Sequence, residues 1–220
     1  MYSVVVPMYN EAKHVRMVLR DLTKRSPPGL KEIIVVNDGS VDNTLELLKK
    51  MKQKYKKLRV VNLRRNHGKG YALRVGAKKA KTENIIFIDG DGQHHASEIK
   101  RFLKKLRNSD MVIGQRNFST LPHRRRFTNR LSRIATYMLT GLRFGDILCG
   151  FRAVKKRAFL SMNLKEDGYR IEIEMILKAV KKKMKITSVP VSANYERGSR
   201  MPFKESLKIA GFFILKVLKG

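Results

Sequence analysis

The chain has 220 residues, 42% of them hydrophobic, and sets 49 Lys and Arg against 18 Asp and Glu for a net charge of +31. That length suits one large domain or a domain with an appendage, and the composition excludes a disordered or low-complexity chain. The single cysteine, Cys149, excludes an internal disulfide and fits a reducing compartment, where it belongs to the core rather than to nucleophilic chemistry; no stretch reaches 18 consecutive apolar residues, so no helix is expected to span a bilayer.

Met1 runs directly into Tyr2 to Val6 without a basic leader or a cleavage-site pattern, so no secretory signal is expected. Tyr2 to Val6 reads as a buried strand, Pro7-Met8-Tyr9-Asn10-Glu11 breaks it, and Val15, Val18, Leu19 and Leu22 mark one face of a helix. After Pro27-Pro28-Gly29, Ile33 to Val36 forms a second strand ending in Asn37-Asp38-Gly39-Ser40, with Asp42 as N-cap of a helix carrying Leu45, Leu48 and Met51. Leu58 to Leu63 is a third strand. Asn66-His67-Gly68-Lys69-Gly70 is a glycine-rich turn, and Leu73, Gly76, Ala77 and Ala80 form a helix face of small residues. The run Ile85-Ile86-Phe87-Ile88 fits a strand buried on both faces and ends abruptly in Asp89-Gly90-Asp91-Gly92-Gln93. Ile99, Phe102, Leu103 and Leu106 then mark a helix, and Met111 to Ile113 a short strand ending at Gly114-Gln115-Arg116.

This alternation is the signature of βαβ units in a doubly wound, mostly parallel sheet, whose right-handed crossovers place every strand's carboxyl end on one edge. Glu11, Asp38, Asp89 and Asp91 therefore converge on the edge where open α/β sheets bind ligands. Two readings fit Asp-x-Asp: a plain turn, since Asp and Gly dominate turns, or a pair of hard oxygen ligands for Mg²⁺ or Mn²⁺. Convergence with Glu11 and Asp38 in an otherwise basic chain favours the second.

Beyond residue 114 the rhythm changes. Phe127, Leu131, Ile134, Ala135, Met138 and Leu142 form an apolar helix face flanked by Arg126, Arg130 and Arg133, which suits either an interfacial helix or a core-packed helix with a solvated basic side. Gly150 to Val154 is a candidate strand, Ile173, Ile176, Leu177 and Val180 mark a helix, and Ile186 to Val191 a late strand. Arg197-Gly198-Ser199-Arg200 is a basic loop. The tail from Phe203 to Leu218 has a broad apolar band flanked by lysines and suits docking on the domain or lying in a bilayer interface.

The segments Val4 to Glu11, Val36 to Thr44 and Asp89 to Gln93 together resemble the inverting GT-A glycosyltransferases of family 2, and within them the dolichyl-phosphate mannose and glucose synthases. The resemblance runs through Gly150-Phe151-Arg152 and Val189-Pro190-Val191, over nearly the whole length. It implies an α/β GT-A domain over residues 1–200 with a basic amphipathic helix over 201–220. It implies that Pro7, Tyr9, Asn10, Glu11, Asp38, Lys69, Asp89 and Gly90 hold a nucleotide sugar, GDP-mannose or a UDP-sugar. Asp89, Asp91 and Gln93 would hold Mg²⁺ or Mn²⁺, and Asp91 and Arg116 would act in catalysis. Arg116, Arg130, Ser132, Arg197 and Arg200 would hold the phosphate of a polyprenyl or dolichyl acceptor and the donor diphosphate. For Lys69 and each arginine, an ordinary surface role fits the sequence as well.

Physical chemistry agrees with that scheme. A diphosphate leaving group gains negative charge as the glycosidic bond breaks, and an oxygen-ligated divalent ion neutralises it there. A phosphate monoester has a second pKa of about 6 and so is largely ionised near neutrality, whereas a sugar hydroxyl needs a general base. The chain departs from the family pattern at Cys149, where a small hydroxyl residue is usual, at Arg200, where Lys is usual, and in having none of the carboxyl-terminal membrane spans of many relatives. The expected location is therefore cytoplasmic and peripheral, at the inner face of an anionic membrane. A basic nucleic-acid-binding protein is a competing reading of the +31 charge, but zinc-finger spacing and RNP-like aromatic patterns are missing, so no nucleic acid is expected as partner. A family 2 transferase acting on a soluble or polysaccharide acceptor is the other alternative.

Overall fold

The structure, a computed structural model, describes residues 1–117, 123–143 and 145–194. The strands are β1 (Tyr2–Met8), β2 (Leu30–Asp38), β3 (Leu58–Leu63), β4 (Asn84–Phe87), β5 (Met111–Arg116), β6 (Arg152–Lys155) and β7 (Ile186–Val191). The helices are α1 (Ala12–Arg25), α2 (Thr44–Lys54), α3 (Lys69–Lys79), α4 (Ile99–Leu106), α5 (His123–Thr140), α6 (Lys156–Ser161) and α7 (Ile171–Lys181), with one 3₁₀ turn at Ala96–Glu98. The tail helix expected over 201–220, with Arg197 and Arg200, lies outside the described residues.

The strands form one sheet in the order β3-β2-β1-β4-β6-β5-β7, parallel throughout except for β6, which runs antiparallel between β4 and β5. The chain lays β2 and β3 to one side of β1 and then returns to place β4 on the other. β1 and β4 therefore flank a topological switch point, where an open α/β sheet has a crevice outside its carboxyl ends. Both faces of the sheet are covered. Val4, Val6 and Met8 of β1, with Ile86 of β4, pack toward α1, α2 and α4, while Val5, Ile85 and Phe87 pack toward α3, α6 and α7. This explains why the strands are continuous apolar runs rather than alternating ones.

The small-residue face of α3 has a concrete cause. A Cβ added at Gly76 would lie 2.3 Å from Val5 Cγ1, so only glycine lets the helix approach β1 so closely. Several element bounds differ from expectation, among them those of β1, β2, β5 and β6, and one helix is added. β1 extends two residues past Val6, with Pro7 opposite Val36 and Met8 opposite Asn37, because the fixed φ of proline suits extended backbone. α6 escapes a periodicity reading because six residues are too few to display a period. Asp42 is not the N-cap of α2, a position Asn43 takes. Its Oδ1 accepts the N–H of Thr44 at 3.0 Å and its Oδ2 that of Ala12 at 3.2 Å, so it ties the start of α2 to the start of α1.

Candidate active site

A cavity of about 610 Å³ opens at the carboxyl edge of the sheet, lined from the loops after β1, β2, β3 and β4, from the end of β5, and from α5 and the start of α7. It gathers Pro7, Tyr9, Asn10, Glu11, Asp38, Lys69, Asp89, Gly90, Asp91, Gln93 and Arg116, residues that the sequence singles out from five separate segments.

The first two loops are knitted together. Asn10 adopts a positive φ of 53°, a conformation that Asn tolerates better than most residues. Its backbone N–H donates to Ser40 Oγ at 2.9 Å and its Oδ1 accepts the N–H of Val41 at 2.9 Å. Tyr9 beside it is 42% exposed at the mouth. Glu11 is buried, its Oε2 against His14 Nδ1 one helical turn on, and its N–H donates to Thr44 Oγ1 at 2.8 Å. Asp38 holds the third loop: its carboxylate accepts Asn66 Nδ2 at 2.9 Å, the N–H of His67 at 2.9 Å and the N–H of Gly68 at 2.7 Å. Burial nonetheless leaves the Asp38 carboxyl raised above its ordinary range, against the pull of those N–H groups.

The acid loop carries an unresolved conflict of charge. Burial works to raise the Asp89 carboxyl, but the Lys69 ammonium, 2.6 Å from its Oδ1, holds it below the usual range. Asp91 is pushed up to about 6, first by burial and then by the negative charge of Asp89, although its Oδ1 accepts the N–H of Gln93 at 3.0 Å. Gln93 is buried behind them. Gly90 packs tightly on β1, where an added Cβ would sit 2.8 Å from the carbonyl oxygen of Pro7.

Lys69 is not an exposed lysine. It is mostly enclosed, 2.7 Å from Glu172 Oε1 as well as bonded to Asp89, and burial, which would lower it, is outweighed by those two carboxylates so that it is held well above its ordinary range. Arg116 is anchored too. Its Nε and Nη2 meet both oxygens of the buried Asp146, Nη2 at 3.0 Å from Oδ1, and Asn129 Nδ2 donates to the same carboxylate at 2.6 Å. Arg130 is exposed on α5, and Ser132 is fully buried there with its hydroxyl unpartnered among the described residues. Neither lines the cavity.

The sequence reading misses Glu172, Asp146 and Asn129. A signal exists for the first: Ile171-Glu172-Ile173-Glu174 embeds two acids in an otherwise apolar helix, and both are buried. Glu174 caps the 165–166 turn through the N–H groups of Lys165 and Glu166, which leaves Glu172 for the cavity. Cys149 is core, as expected: it is buried and its thiol is pushed up to about 12 by that burial. Arg152 is fully buried and spends its guanidinium on the carbonyls of Cys149, Glu172 and Ile147, which binds the start of α7 to the loop carrying Asp146.

The family model described as "Glycosyl transferase family 2" matches residues 3–162. The chain is 34% identical over 221 residues to an uncharacterized protein of Methanocaldococcus jannaschii, covering 94% of each. It is 28% identical over 238 residues to the dolichyl-phosphate beta-glucosyltransferase of Saccharomyces cerevisiae, covering 94% of this chain and 71% of that protein. In fold it resembles glucosyl-3-phosphoglycerate synthase from Mycobacterium tuberculosis, crystallised with Mn²⁺, UDP and phosphoglyceric acid, at a TM-score of 0.75 and 19% identity over 100% of this chain and 78% of that one. The seven-stranded, mostly parallel sheet is the kind that the alternation of strands and helices predicts, and it is the GT-A arrangement that the family resemblance implies. With the family model matched over most of its length and a relative above 30% identity aligned along nearly all of it, the chain belongs to glycosyl transferase family 2 and is a glycosyltransferase.

Proposed function

We propose that the protein transfers a hexose from a nucleotide sugar to polyprenyl or dolichyl phosphate, with inversion at the anomeric carbon and with a divalent ion on the donor diphosphate. The observation that carries this reading is the cavity at the β1/β4 switch point, where Asp89 and Asp91 stand beside the knitted loops of β1 and β2 and opposite an anchored arginine. Relatives aligned along 94% of this chain are dolichyl-phosphate beta-glucosyltransferases, which favours a lipid phosphate over a soluble acceptor.

The residues fit a metal in part. Asp89 and Asp91 are hard oxygen donors, and the raised carboxyl of Asp91 is the mark of a group whose ionised form lacks compensating charge. No cluster of three His, Cys, Asp or Glu side chains is arranged for metal among the described residues, so Asp91, Asp89 and Gln93 would hold Mg²⁺ or Mn²⁺ jointly with the donor phosphates. When bound, the ion supplies charge neutralisation to the departing diphosphate. The chain's own residues do the rest. Asn10, Glu11 and Asp38 frame the wall where a base and ribose would sit. Arg116, fixed in orientation by Asp146, presents a guanidinium toward anionic oxygen without an ordering step at the moment of reaction. An ionised phosphate acceptor attacks without a general base.

The acceptor also needs a route from a membrane. On α5, Ile134, Tyr137, Met138 and the following Leu142 are 51%, 47%, 65% and 49% exposed beside exposed Arg126, Arg130 and Arg133, a surface that combines apolar area with cations and fits an anionic bilayer interface. No helix of the described residues is long and apolar enough to cross a membrane.

The test is direct. Purified protein with polyprenyl phosphate and Mn²⁺ is offered UDP-glucose, GDP-mannose and UDP-N-acetylglucosamine in turn, and one should yield a lipid-linked sugar. Inactivity with all three, together with transfer to phosphoglycerate or another soluble acceptor, overturns the reading.

A further inference from the structure

Lys69 is the feature that the proposed reaction leaves unexplained. Its ammonium is held between two carboxylates at 2.6 and 2.7 Å, is 12% exposed, and lies on the carboxylate that a divalent ion would use. The enclosure is built. A Cβ at Gly150 would lie 2.4 Å from Asp89 Oδ2 and 2.6 Å from Lys69 Nζ, so a glycine there lets the backbone close over the pair. The ring of Tyr169 flanks the ammonium at 5.7 Å. Glu172 is 3% exposed at its side chain, and Lys69 is the one cation that an ion pair gives it among the described residues.

We propose that Lys69 is a resident counter-cation that competes with the divalent ion for Asp89, and that Glu172 is a positioning residue that retains Lys69 in the site. This rests on the metal-dependent reading above and deepens it. In the protein without ligands, one ammonium answers the crowd of Asp89, Asp91 and Glu172. A divalent ion reaching the other side of Asp89 meets that ammonium across a single carboxylate, and the two cations repel at short range. The donor diphosphate brings the negative charge that lets both cations stay. Glu172 holds the Lys69 ammonium beside Asp89. The consequence is coupling: metal alone binds weakly, nucleoside diphosphate alone binds weakly, and each strengthens the other.

The experiment is a titration of Mn²⁺ followed by electron paramagnetic resonance, with Mn²⁺ alone and with saturating UDP or GDP. Lys69→Met should bind Mn²⁺ alone about tenfold or more tightly than wild type, and the nucleotide's enhancement of Mn²⁺ binding should shrink by a similar factor. Glu172→Gln should weaken Mn²⁺ binding in the absence of nucleotide, because Lys69 then serves Asp89 alone. The two shifts have opposite signs, which loss of local structure does not produce. If Lys69→Met fails to fold because Glu172 is stranded, the double variant Lys69→Met, Glu172→Gln keeps the wild-type net charge with Asp89 uncontested and should likewise bind Mn²⁺ more tightly than wild type. Unchanged or weaker Mn²⁺ binding in the lysine variants, with wild type binding Mn²⁺ in the presence of nucleotide, overturns this proposal alone. Wild type that binds no Mn²⁺ with either nucleotide overturns the metal-dependent reading and this proposal with it.

Discussion

The two edges of one sheet treat their carboxylates in opposite ways. At the amino edge each acid is matched. Glu32 in β2 accepts Ser3 Oγ at 2.9 Å and the N–H of Lys81 at 2.6 Å and pairs with Arg59, which overcomes the burial that would raise it and leaves it lowered. Asp110 before β5 is lowered first by the N–H of Lys185 at 3.0 Å and further by Lys155 at 3.3 Å. At the carboxyl edge the acids outnumber their cation: Lys69 serves Asp89 and Glu172, and Asp91 rises to about 6. An edge with its charges resolved contributes stability. An edge left in conflict suits a ligand, and that difference is a physical reason to place the proposed site there.

The largest effect expected from this contrast is at Asp91. Asp91→Asn keeps an oxygen to accept the N–H of Gln93 but removes the charge, so turnover should fall by about a thousandfold or more. A carboxyl raised in the folded state opposes folding once the pH exceeds its unfolded value, and this opposition is complete above the folded pKa of about 6. The metal-free variant at about pH 8 should therefore melt no lower than wild type, and by ~1–4 °C higher. A variant that loses stability and keeps activity would show that Asp91 belongs with the matched acids after all.

Asp146 comes next, because it combines the habits of both edges: it lies at the site yet is fully matched by Arg116 and Asn129. Burial works to raise it and Arg116 brings it down. Asp146→Ala should break the buried carboxylate's pairing with Arg116 and Asn129, costing about 3–5 kcal/mol of stability by denaturant melts. Asp146→Asn, which retains an acceptor, should cost less and still reduce kcat by about tenfold or more through a loosened Arg116. An Asp146→Asn enzyme with wild-type kcat would remove Arg116 from the reaction.

At the amino edge, Glu32→Gln should leave activity intact and cost about 1–2 kcal/mol near neutrality. The sign with pH follows from its lowered folded value. The stability that Glu32 contributes is present above its unfolded pKa and is lost as the pH falls through the lowered folded one. Urea melts should show the gap between wild type and variant closing through that acid range. A gap that widens there would contradict the matched state of Glu32.

How much of this was legible beforehand divides along the same chain. Up to residue 114, each strand is an apolar run followed by a polar loop, and the crossover rule alone brings Glu11, Asp38, Asp89 and Asp91 to one edge. Beyond it, β6 enters antiparallel between β4 and β5, a placement that no local pattern encodes. Asn129 and Glu172 reach the cavity, and Asp146 lies behind Arg116, from the part of the chain around that insertion, beyond the reach of a reading by units. Lys69 was recognised as a residue of the site but not as the partner of Asp89 and Glu172, since an ion pair between residues twenty or a hundred apart is a tertiary fact. The N-cap of α2 falls one residue beyond Asp42, at Asn43, the ordinary margin at a helix start.

The smallest effect sharpens the comparison most finely, because it separates backbone from side chain at the carboxyl edge. Asn10 sits at φ 53° and accepts the N–H of Val41 through Oδ1, so it provides both a left-handed backbone and a tie between the β1 and β2 loops. Asn10→Gly keeps the backbone and loses the tie, whereas Asn10→Ala loses the tie and adds strain of about 1 kcal/mol. Thermal melts should therefore rank wild type above Gly and Gly above Ala, with steps of ~1 kcal/mol or less. Nucleoside diphosphate affinity should drop by a similar factor in both variants, since the wall that frames the base depends on the tie and not on the strain. If affinity instead follows the stability ranking, the loop contributes through its rigidity alone, and the knitted β1 and β2 loops belong to the scaffold rather than to the site.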